Sequence, residues 1–217
     1  MKKITGSLCI ISAPSGTGKS TLIKSLYQNN QFPCNTQLAI SYTTRAQRDT
    51  EIHGKDYFFI STKEFKNMIN QNMFFEYAKV FNHYYGTEKN NIKTMLNSGI
   101  HIILNINWQG AKKIRNQMSS NIYTIFILPP SIKILEKRLR IRGQDTEHII
   151  INRMKKVIYE INHFTEYDYI IINDNFKIAL KHLQAIILSE QLRLIYQKKR
   201  YSKLINNLLS SSSKKKI

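Results

Sequence analysis

Cysteine, acidic side chains and long apolar runs are scarce in this chain of 217 residues. Its two cysteines, Cys9 and Cys34, lack the paired spacing of a disulfide framework or a zinc site, so we expect both to be free thiols. The longest apolar runs, residues 100–104 and 122–128, are far shorter than the ~20 residues that a membrane-spanning helix needs. The composition therefore predicts neither a disulfide-stapled domain nor an integral membrane protein.

A secretory leader is not indicated either. Lys2 and Lys3 precede an apolar stretch, but cleavage after Ala13 would remove the first predicted strand and split the motif that follows it. The six histidines are scattered without metal-ligand spacing, which disfavours a metal centre built from them. We expect a cytoplasmic protein.

Acidic residues are outnumbered by basic ones, 14 to 33, which gives a formal net charge of +19. Such a charge is also typical of proteins that bind nucleic acid. The basic residues are spread along the whole chain, however, and Lys, Asn and Ile are abundant throughout, as a biased genome would produce. We expect no nucleic-acid partner; the alternative, RNA binding, predicts salt-sensitive retention of RNA.

What the chain does contain is a motif typical of phosphate-binding loops, between an apolar run and a helical pattern. Gly16 and Gly18 allow a tight turn in which successive backbone N–H groups converge on a polyphosphate. Lys19 adds a positive charge for the β and γ phosphates, and Ser20 supplies a hydroxyl ligand for the Mg²⁺ that bridges them. The predicted ATP-binding residues of the motif are Ala13, Pro14, Ser15, Gly16, Thr17, Gly18, Lys19, Ser20 and Thr21. Alanine stands at the first position, where the motif usually has glycine.

The pattern along the chain predicts an α/β protein with a polar insertion. The insertion contains two short predicted strands, at 38–42 and 57–60. They are followed, before Phe74, by a predicted helix at 62–71 that begins with a threonine cap. Strands and helices then alternate, as in a parallel sheet. The later strands are predicted at 100–106, 122–128 and 169–172, and the helices at 91–97, 109–118, 131–140, 147–161 and 176–197. We expect a doubly wound sheet whose strand carboxyl ends carry the ligand site.

A second substrate is indicated by residues of the insertion. Arg45 and Arg48 lie three residues apart, and arginine forks fit phosphate oxygens in pairs. The phenols of Tyr57 and Tyr85 add possible donors for the same phosphate. A carboxylate at Glu76 accepts two adjacent hydrogen bonds from guanine N1–H and N2–H₂, whereas adenine has an acceptor at N1. Such a mismatch supplies on the order of 10⁴-fold discrimination against AMP.

Arginines are also frequent in residues 138–145. Phosphoryl transfer needs positive charge near the transferring group more than it needs an acid or a base. Mobile arginines such as Arg138 and Arg142 supply that charge, and they exclude water when they close.

Several separate motifs follow one another in an order found in one family. They are Ser41-x-Thr43-Thr44-Arg45-x-x-Arg48, residues 53–59 (HGKDYFF), Phe75-Glu76, residues 84–87 (YYGT) and Trp108-Gln109-Gly110. With them the chain resembles guanylate kinase from about Gly6 to Tyr196. The resemblance implies a phosphate-loop nucleoside monophosphate kinase fold with a small mixed β/α insertion that binds GMP, a helical lid, and transfer of the γ-phosphoryl of ATP to GMP. It implies a core at 1–36, 88–137 and 155–209, the insertion at 37–87 and the lid at 138–154. The low compositional complexity of the basic tail at 210–217 predicts disorder there.

The resemblance also implies roles for individual residues. It assigns GMP to Ser41, Arg45, Arg48, Tyr57, Glu76, Tyr85, Thr87 and Asn107. It assigns the transferring phosphoryl group to Lys19, Arg45, Arg138, Arg142 and Arg153, the adenine of ATP to Asn173, and Mg²⁺ to Ser20 with phosphates and water. Whether the chain is a monomer or a homo-oligomer is left open.

The sequence departs from the family at the end of one strand. Guanylate kinases usually show Asp-Ile-Asp there, where this chain has Asn105-Ile106-Asn107. An amide keeps a carbonyl acceptor and loses the negative charge, so we expect each change to cost on the order of 1 kcal/mol. We expect a working but weakened enzyme. The alternatives are an interaction domain that has lost catalysis and a kinase for another phosphorylated acceptor.

Overall fold

The computed structural model describes residues 6–28, 32, 35–80, 82–118, 120–143 and 146–213. Five strands form the central sheet in the order β2-β7-β1-β8-β9, and every neighbouring pair in it is parallel. These strands are β1 Leu8–Ser12, β2 Thr36–Leu38, β7 His101–Asn105, β8 Ile122–Leu128 and β9 Tyr169–Ile172. Cys34 lies outside the described residues, as do Gln144 and Asp145 of the expected lid.

Strand β1 is buried on both faces, which explains its uninterrupted apolar sequence. Cys9 and Ile11 point into one hydrophobic cluster, and Leu8 and Ile10 point into another on the opposite face. Both clusters include residues of the flanking helices. The predicted doubly wound α/β fold is therefore confirmed.

Nine α-helices are described. They are α1 Lys19–Gln28, α2 Thr62–Asn70, α3 Lys89–Asn97, α4 Trp108–Gln117, α5 Ile132–Arg142, α6 Glu147–Asn162, α7 Phe176–Gln191, α8 Leu194–Arg200 and α9 Ser202–Ser213. A short 3-10 helix, His163–Glu166, follows α6. Among the described residues no helix is long and apolar enough to span a bilayer.

A second, mixed sheet of four strands is formed by the polar segment between β2 and α3, in the order β4-β3-β6-β5. Its strands are β3 Tyr42–Thr43, β4 Phe58–Phe59, β5 Phe74–Val80 and β6 His83–Glu88. Helix α2 packs on this sheet through Phe65, whose ring lies 4.4 Å from that of Phe74. The helix begins with a capping box between Ser61 and Glu64, so the cap is Ser61 and not the predicted threonine.

One predicted strand is divided between the two sheets. Residues 38–42 were expected to form a single strand, but β2 pairs with β7 in the central sheet and β3 pairs with β6 in the small one. The backbone N–H of Ala39 still bonds to Ile103, and the chain then crosses to the small sheet. The prediction was wrong because the apolar pattern continues across this crossing.

The predicted long helix 176–197 is interrupted. Helix α7 ends at Gln191, and Arg193 has an extended backbone (φ −56°, ψ 140°) before α8 begins. The apolar pattern runs across this break, so periodicity alone did not reveal it. Helix α9 continues through Ser213, into the segment predicted to be disordered; residues 214–217 lie outside the described residues.

Candidate active site

The phosphate-binding motif forms a loop between the carboxyl end of β1 and helix α1. Gly16 and Gly18 both have positive φ angles, 92° and 89°, which favour glycine. A Cβ atom at Gly18 would lie 2.6 Å from the amide nitrogen of Asn173, so this position also lacks space for a side chain. Thr17 is buried and donates from its hydroxyl to the carbonyl of Pro14 at 2.9 Å. The loop is thus held in one tight conformation.

Asn173 supports the loop from the end of β9. Its side-chain nitrogen donates to the carbonyl of Thr17 at 2.6 Å, and its own carbonyl accepts a hydrogen bond from Arg138 at 2.9 Å. Asn173 is 4% exposed, so it supports the loop from the protein interior. It also brings Arg138 of helix α5 to the loop.

Lys19 lies at the start of α1 and reaches across the sheet. Its ammonium donates to the carbonyl of Ile106, just beyond β7, at 3.0 Å. Burial lowers the pKa of Lys19 to about 8, while the nearby carboxylate of Glu160 acts to raise it. On the other side of the loop, Arg153 of α6 donates to the hydroxyl of Ser15. Two predicted cations therefore meet at this loop.

Three further predicted residues lie at the ends of two helices. Ser20 and Thr21 occupy the first turn of α1 and are exposed. Arg142 lies in the last turn of α5, which ends at Gly143 in the left-handed conformation (φ 63°).

A buried carboxylate marks a second part of the site, in the small sheet. Glu76 on β5 is 4% exposed and accepts a hydrogen bond from the hydroxyl of Thr87 at 2.9 Å. The hydroxyl of Ser41 lies 3.3 Å from that of Thr87. Burial raises the pKa of Glu76 to about 7, although Thr87 and Lys113 act to lower it. The structure brings Ser41, Glu76 and Thr87 together as predicted.

The two asparagines near β7 differ in their surroundings. The side-chain oxygen of Asn107 accepts from the backbone N–H of Gly110 at 2.9 Å and so caps helix α4. A Cβ atom at Gly110 would lie 2.5 Å from a carboxylate oxygen of Glu76. Asn107 is thereby placed beside the buried carboxylate, whereas Asn105 is the last residue of β7 and pairs with Ile11 of β1.

The four residues predicted to bind a phosphate also lie together. Arg45 lies over the ring of Tyr57, with 5.7 Å from the guanidinium carbon to the ring centroid. The rings of Tyr57 and Tyr85 meet edge to face at 6.0 Å. Arg48 and Arg45 both act to lower the pKa of Tyr57, which burial raises to about 12.

Two carboxylates beside these cations were not predicted. The carboxylate of Glu51 accepts three hydrogen bonds. One guanidinium nitrogen of Arg45 donates to its two oxygens at 2.7 and 2.9 Å, and the backbone N–H of Arg48 donates at 3.0 Å. Glu160 faces Lys19 and Arg153. The only sequence signal that could have identified them is spacing. Glu51 follows Arg48 by three residues, and Glu160 follows Arg153 by about two helical turns.

A cavity of about 560 Å³ joins the small sheet to helix α6. Its lining residues are Arg45, Ala46, Gln47, Arg48, Asn82, His83, Tyr85, His148, Ile149, Asn152 and Arg153. Three predicted phosphate-binding residues thus share a cavity with Arg153, which contacts the phosphate loop.

A glycine-containing loop after a buried parallel strand, with lysine and arginine side chains gathered around it, places the chain among the phosphate-loop nucleotide-binding proteins. A family model described as guanylate kinase matches residues 5–190. The guanylate kinase of Blochmanniella pennsylvanica is 66% identical over 207 residues, covering 95% of this chain and 98% of that protein. The guanylate kinase of Buchnera aphidicola subsp. Schizaphis graminum is 54% identical over 206 residues, covering 95% of this chain and 99% of that protein.

Solved structures agree with this result. The crystal structure of guanylate kinase from Anaplasma phagocytophilum is 31% identical, with a TM-score of 0.72, and covers 89% of this chain and 90% of that one. The chain therefore belongs to the guanylate kinase family and is an ATP:GMP phosphotransferase. The family predicted from the sequence motifs is confirmed.

The raised pKa of Glu76 predicts a pH-dependent cost to stability. Because its pKa is higher in the folded protein than the ordinary glutamate value of 4.5, ionisation destabilises the fold as pH rises from about 4.5 to about 7. Glu76→Gln should therefore increase the free energy of unfolding at pH 8 by on the order of 3 kcal/mol, and far less at pH 4.5.

Urea unfolding of the unliganded protein at both pH values measures this difference. Glu88→Gln, a neutralised carboxylate at the end of β6, is the control and should show no comparable pH dependence. An equal effect of Glu76→Gln at pH 4.5 and pH 8 would contradict the account.

Proposed function

We propose that this phosphotransferase binds ATP on the phosphate loop and GMP on the small sheet, in the cytoplasm, and that Glu76 selects guanine. The observation that carries the proposal is the buried carboxylate of Glu76 beside two hydroxyls, in the same small sheet as the arginine and tyrosine cluster. Guanine N1–H and N2–H₂ would donate to that carboxylate as a pair. Ser41, Thr87 and Asn107 would surround the base.

The phosphate of GMP is proposed to bind at Arg45, Arg48, Tyr57 and Tyr85. Arg45 is held by Glu51 and by the carbonyl of Ala46, so its guanidinium is fixed before substrate arrives. A fixed fork loses less conformational entropy on binding phosphate than a mobile one. The cavity between these residues and α6 leads toward Arg153.

The polyphosphate of ATP is proposed to bind to the ammonium of Lys19 and to backbone N–H groups within residues 13–21, of which Pro14 has none. Asn173 holds this loop through the carbonyl of Thr17. Its proximity to adenine, implied by the family resemblance, stays a prediction. The residues proposed to contact ATP are Ala13, Pro14, Ser15, Gly16, Thr17, Gly18, Lys19, Ser20, Thr21 and Asn173.

Mg²⁺ fits the donor set at this loop. Ser20 presents an exposed hydroxyl one residue beyond Lys19, and Mg²⁺ takes few protein ligands when phosphates and waters complete its shell. In the described residues no cluster of three or more His, Cys, Asp or Glu side chains offers an alternative metal site. Bound Mg²⁺ would neutralise charge on the ATP phosphates, with Ser20 as its protein ligand.

Transfer is proposed as direct attack of a GMP phosphate oxygen on the γ-phosphorus of ATP. The new P–O bond forms as the bond to the β-phosphate oxygen breaks, and ADP leaves without a covalent enzyme intermediate. Lys19, Arg138, Arg142 and Arg153 stabilise the charge on the transferring group, and Arg45 holds the acceptor. We propose residues 138–154 as the lid that excludes water and residues 37–87 as the GMP-binding insertion.

An acceptor panel tests this assignment. Purified protein with Mg²⁺ and ATP should form ADP with GMP and not with AMP, UMP or CMP. Glu76→Gln should lower kcat/KM for GMP on the order of 100-fold, because an amide cannot accept both donors of guanine. Glu88→Gln should behave like the wild type. Equal rates with AMP, or an unchanged Glu76→Gln enzyme, would refute the role of Glu76.

The alternative of an interaction domain that binds nucleotide without catalysis is supported only by Asn105 and Asn107. Asn107 keeps its acceptor role by capping α4, and the lost charge at both positions supports the prediction of a weakened enzyme. GMP binding without turnover of any acceptor would favour the interaction domain. Turnover with GMP would exclude it.

Glu51 generates a separate prediction. Glu51→Gln replaces one acceptor oxygen with a donor, so Arg45 and the backbone N–H of Arg48 would no longer share a carboxylate. KM for GMP should rise roughly tenfold while KM for ATP is unchanged. Steady-state kinetics with each substrate varied measure both constants.

Asp49→Asn is the matched control, since it removes the same charge from an exposed neighbour. It should leave both KM values within about twofold. A lower KM for GMP in Glu51→Gln would show instead that Glu51 competes with the phosphate.

A further inference from the structure

The small sheet contacts the central α/β layer at both of its edges. At the β5 edge, Lys113 and Gln117 of α4 donate to backbone carbonyls of the strand. At the β4 edge, the ammonium of Lys24 lies 2.5 Å from a carboxylate oxygen of Asp56. Lys24 belongs to α1, the helix that follows the phosphate loop, and Asp56 lies two residues before β4. This ion pair thus joins a helix of the central layer to the sheet proposed to bind GMP.

Asp56 holds its own segment as well as Lys24. Its Oδ1 atom pairs with Lys24, and its Oδ2 atom accepts a hydrogen bond from the backbone N–H of Ile52 at 2.8 Å. The backbone N–H of Asp56 in turn donates to the carbonyl of Ile52 at 2.9 Å. Tyr57, proposed above to bind the phosphate of GMP, is the next residue in the chain. The carboxylate therefore connects α1 to a fixed turn that carries Tyr57.

The position of Lys24 connects the pair to the phosphate loop. Lys24 lies one helical turn beyond Ser20, so the two residues share a face of α1. The side chain of Lys24 is 49% exposed, but that of Asp56 is only 13% exposed. Because the carboxylate is largely enclosed, solvent and salt screen this attraction less than they screen a fully exposed pair.

We propose that Lys24 and Asp56 are positioning residues for phosphoryl transfer, and that their ion pair holds the GMP-binding sheet at the distance from the phosphate loop that transfer requires. The proposal rests on the ATP and GMP sites proposed above. Neither side chain is assigned a contact with a substrate. Both act on the reaction through the relative position of the two layers.

The physical reason is that the chain connects the two layers at few points. It enters the small sheet beyond Ala39 and leaves it where β6 ends and α3 begins. Non-covalent contacts at the edges of the sheet must therefore set the distance between the layers. In-line transfer is sensitive to that distance, since a misplacement of about 1 Å can cost on the order of 100-fold in rate. GMP binding is less sensitive, because the residues proposed to hold its phosphate all belong to the small sheet and its loops.

A double-mutant cycle tests the pair. Lys24→Met removes the ammonium, and Asp56→Asn removes the negative charge while keeping an oxygen that can accept from Ile52. Each change should lower kcat with ATP and GMP roughly fourfold, close to the most by which a surface ion pair shifts an equilibrium. The double variant should also lose roughly fourfold, whereas independent effects would multiply to about sixteenfold.

GMP binding without ATP is the second measurement, made by isothermal titration calorimetry on the same three variants. The Kd for GMP should stay within about twofold of the wild-type value, since the pair acts on transfer and not on the GMP site itself. A rise in this Kd that matches the loss of kcat would show that the substitutions distort the turn carrying Tyr57. That result would overturn the positioning role.

Two further variants serve as comparisons. Lys24→Arg keeps the positive charge and should retain kcat within about twofold of the wild type. Lys63→Met removes an exposed ammonium from α2, a helix of the same insertion, and should leave kcat unchanged. Thermal unfolding verifies that each variant is folded.

The outcomes separate this proposal from the proposed function. A wild-type kcat in Lys24→Met and Asp56→Asn, or losses that multiply in the double variant, would overturn the role of the ion pair and leave the kinase assignment intact. A wild-type protein that forms no ADP with GMP would instead refute the proposed function.

Discussion

The close packing of helix α4 against strand β5 at Gly110 is the contact on which both halves of the site depend. The backbone N–H of Gly110 bonds to Asn107, and its Cα faces the carboxylate of Glu76 so closely that a Cβ would displace it. Farther along α4, Lys113 and Gln117 donate to backbone carbonyls of β5. Helix α4 belongs to the central α/β layer and strand β5 to the small sheet, so this contact fixes the two layers to each other.

The same contact between α4 and β5 buries Glu76 and so determines the chemistry of its carboxylate. A carboxylate held from water has a raised pKa and an unmet capacity for hydrogen bonds, since only Thr87 donates to it among the hydrogen bonds described. A base with two adjacent donors satisfies that capacity, whereas a base with an acceptor leaves it unmet. The selectivity for guanine that we propose would therefore follow from how the two layers pack.

Three cations of the site are held by acceptors of the chain itself. Lys19 donates to the carbonyl of Ile106, Arg45 to the carboxylate of Glu51, and Arg138 to the carbonyl of Asn173. Like charges gathered in one site repel, and such acceptors fix their positions against that repulsion. The acceptors come from different elements, so the arrangement exists only in the folded protein.

The sequence predicted the elements and residues whose signals are local. Strands 122–128 and 169–172 have the predicted bounds because each is a short apolar run in the parallel sheet. The phosphate loop was recognisable because its function fixes residue types at fixed spacing. The crossing at Ala39 and the helix break at Arg193 were missed because the apolar pattern continues across both.

The contacts of single side chains were beyond prediction for a related reason. The position of Asn173 beside adenine stays a prediction, but the bond from its amide nitrogen to Thr17, 156 residues away in the chain, carried no signal in the sequence. Glu51 and Glu160 carry no motif, and their partners are identified only by the fold. Spacing shows which side chains share a face of an element, but not which other element lies opposite.

The most direct test of the guanine-reading carboxylate is a ¹³C NMR titration of the Glu76 carboxyl group, with the signal assigned by its loss in Glu76→Gln. The account predicts a midpoint near 7 in the protein alone. It predicts a midpoint lower by about two units or more with saturating GMP, because both donors of the base can bond to the carboxyl oxygens as a pair only in the ionised form. An unchanged midpoint in the presence of bound GMP would contradict the account, since guanine would then not be paired with Glu76.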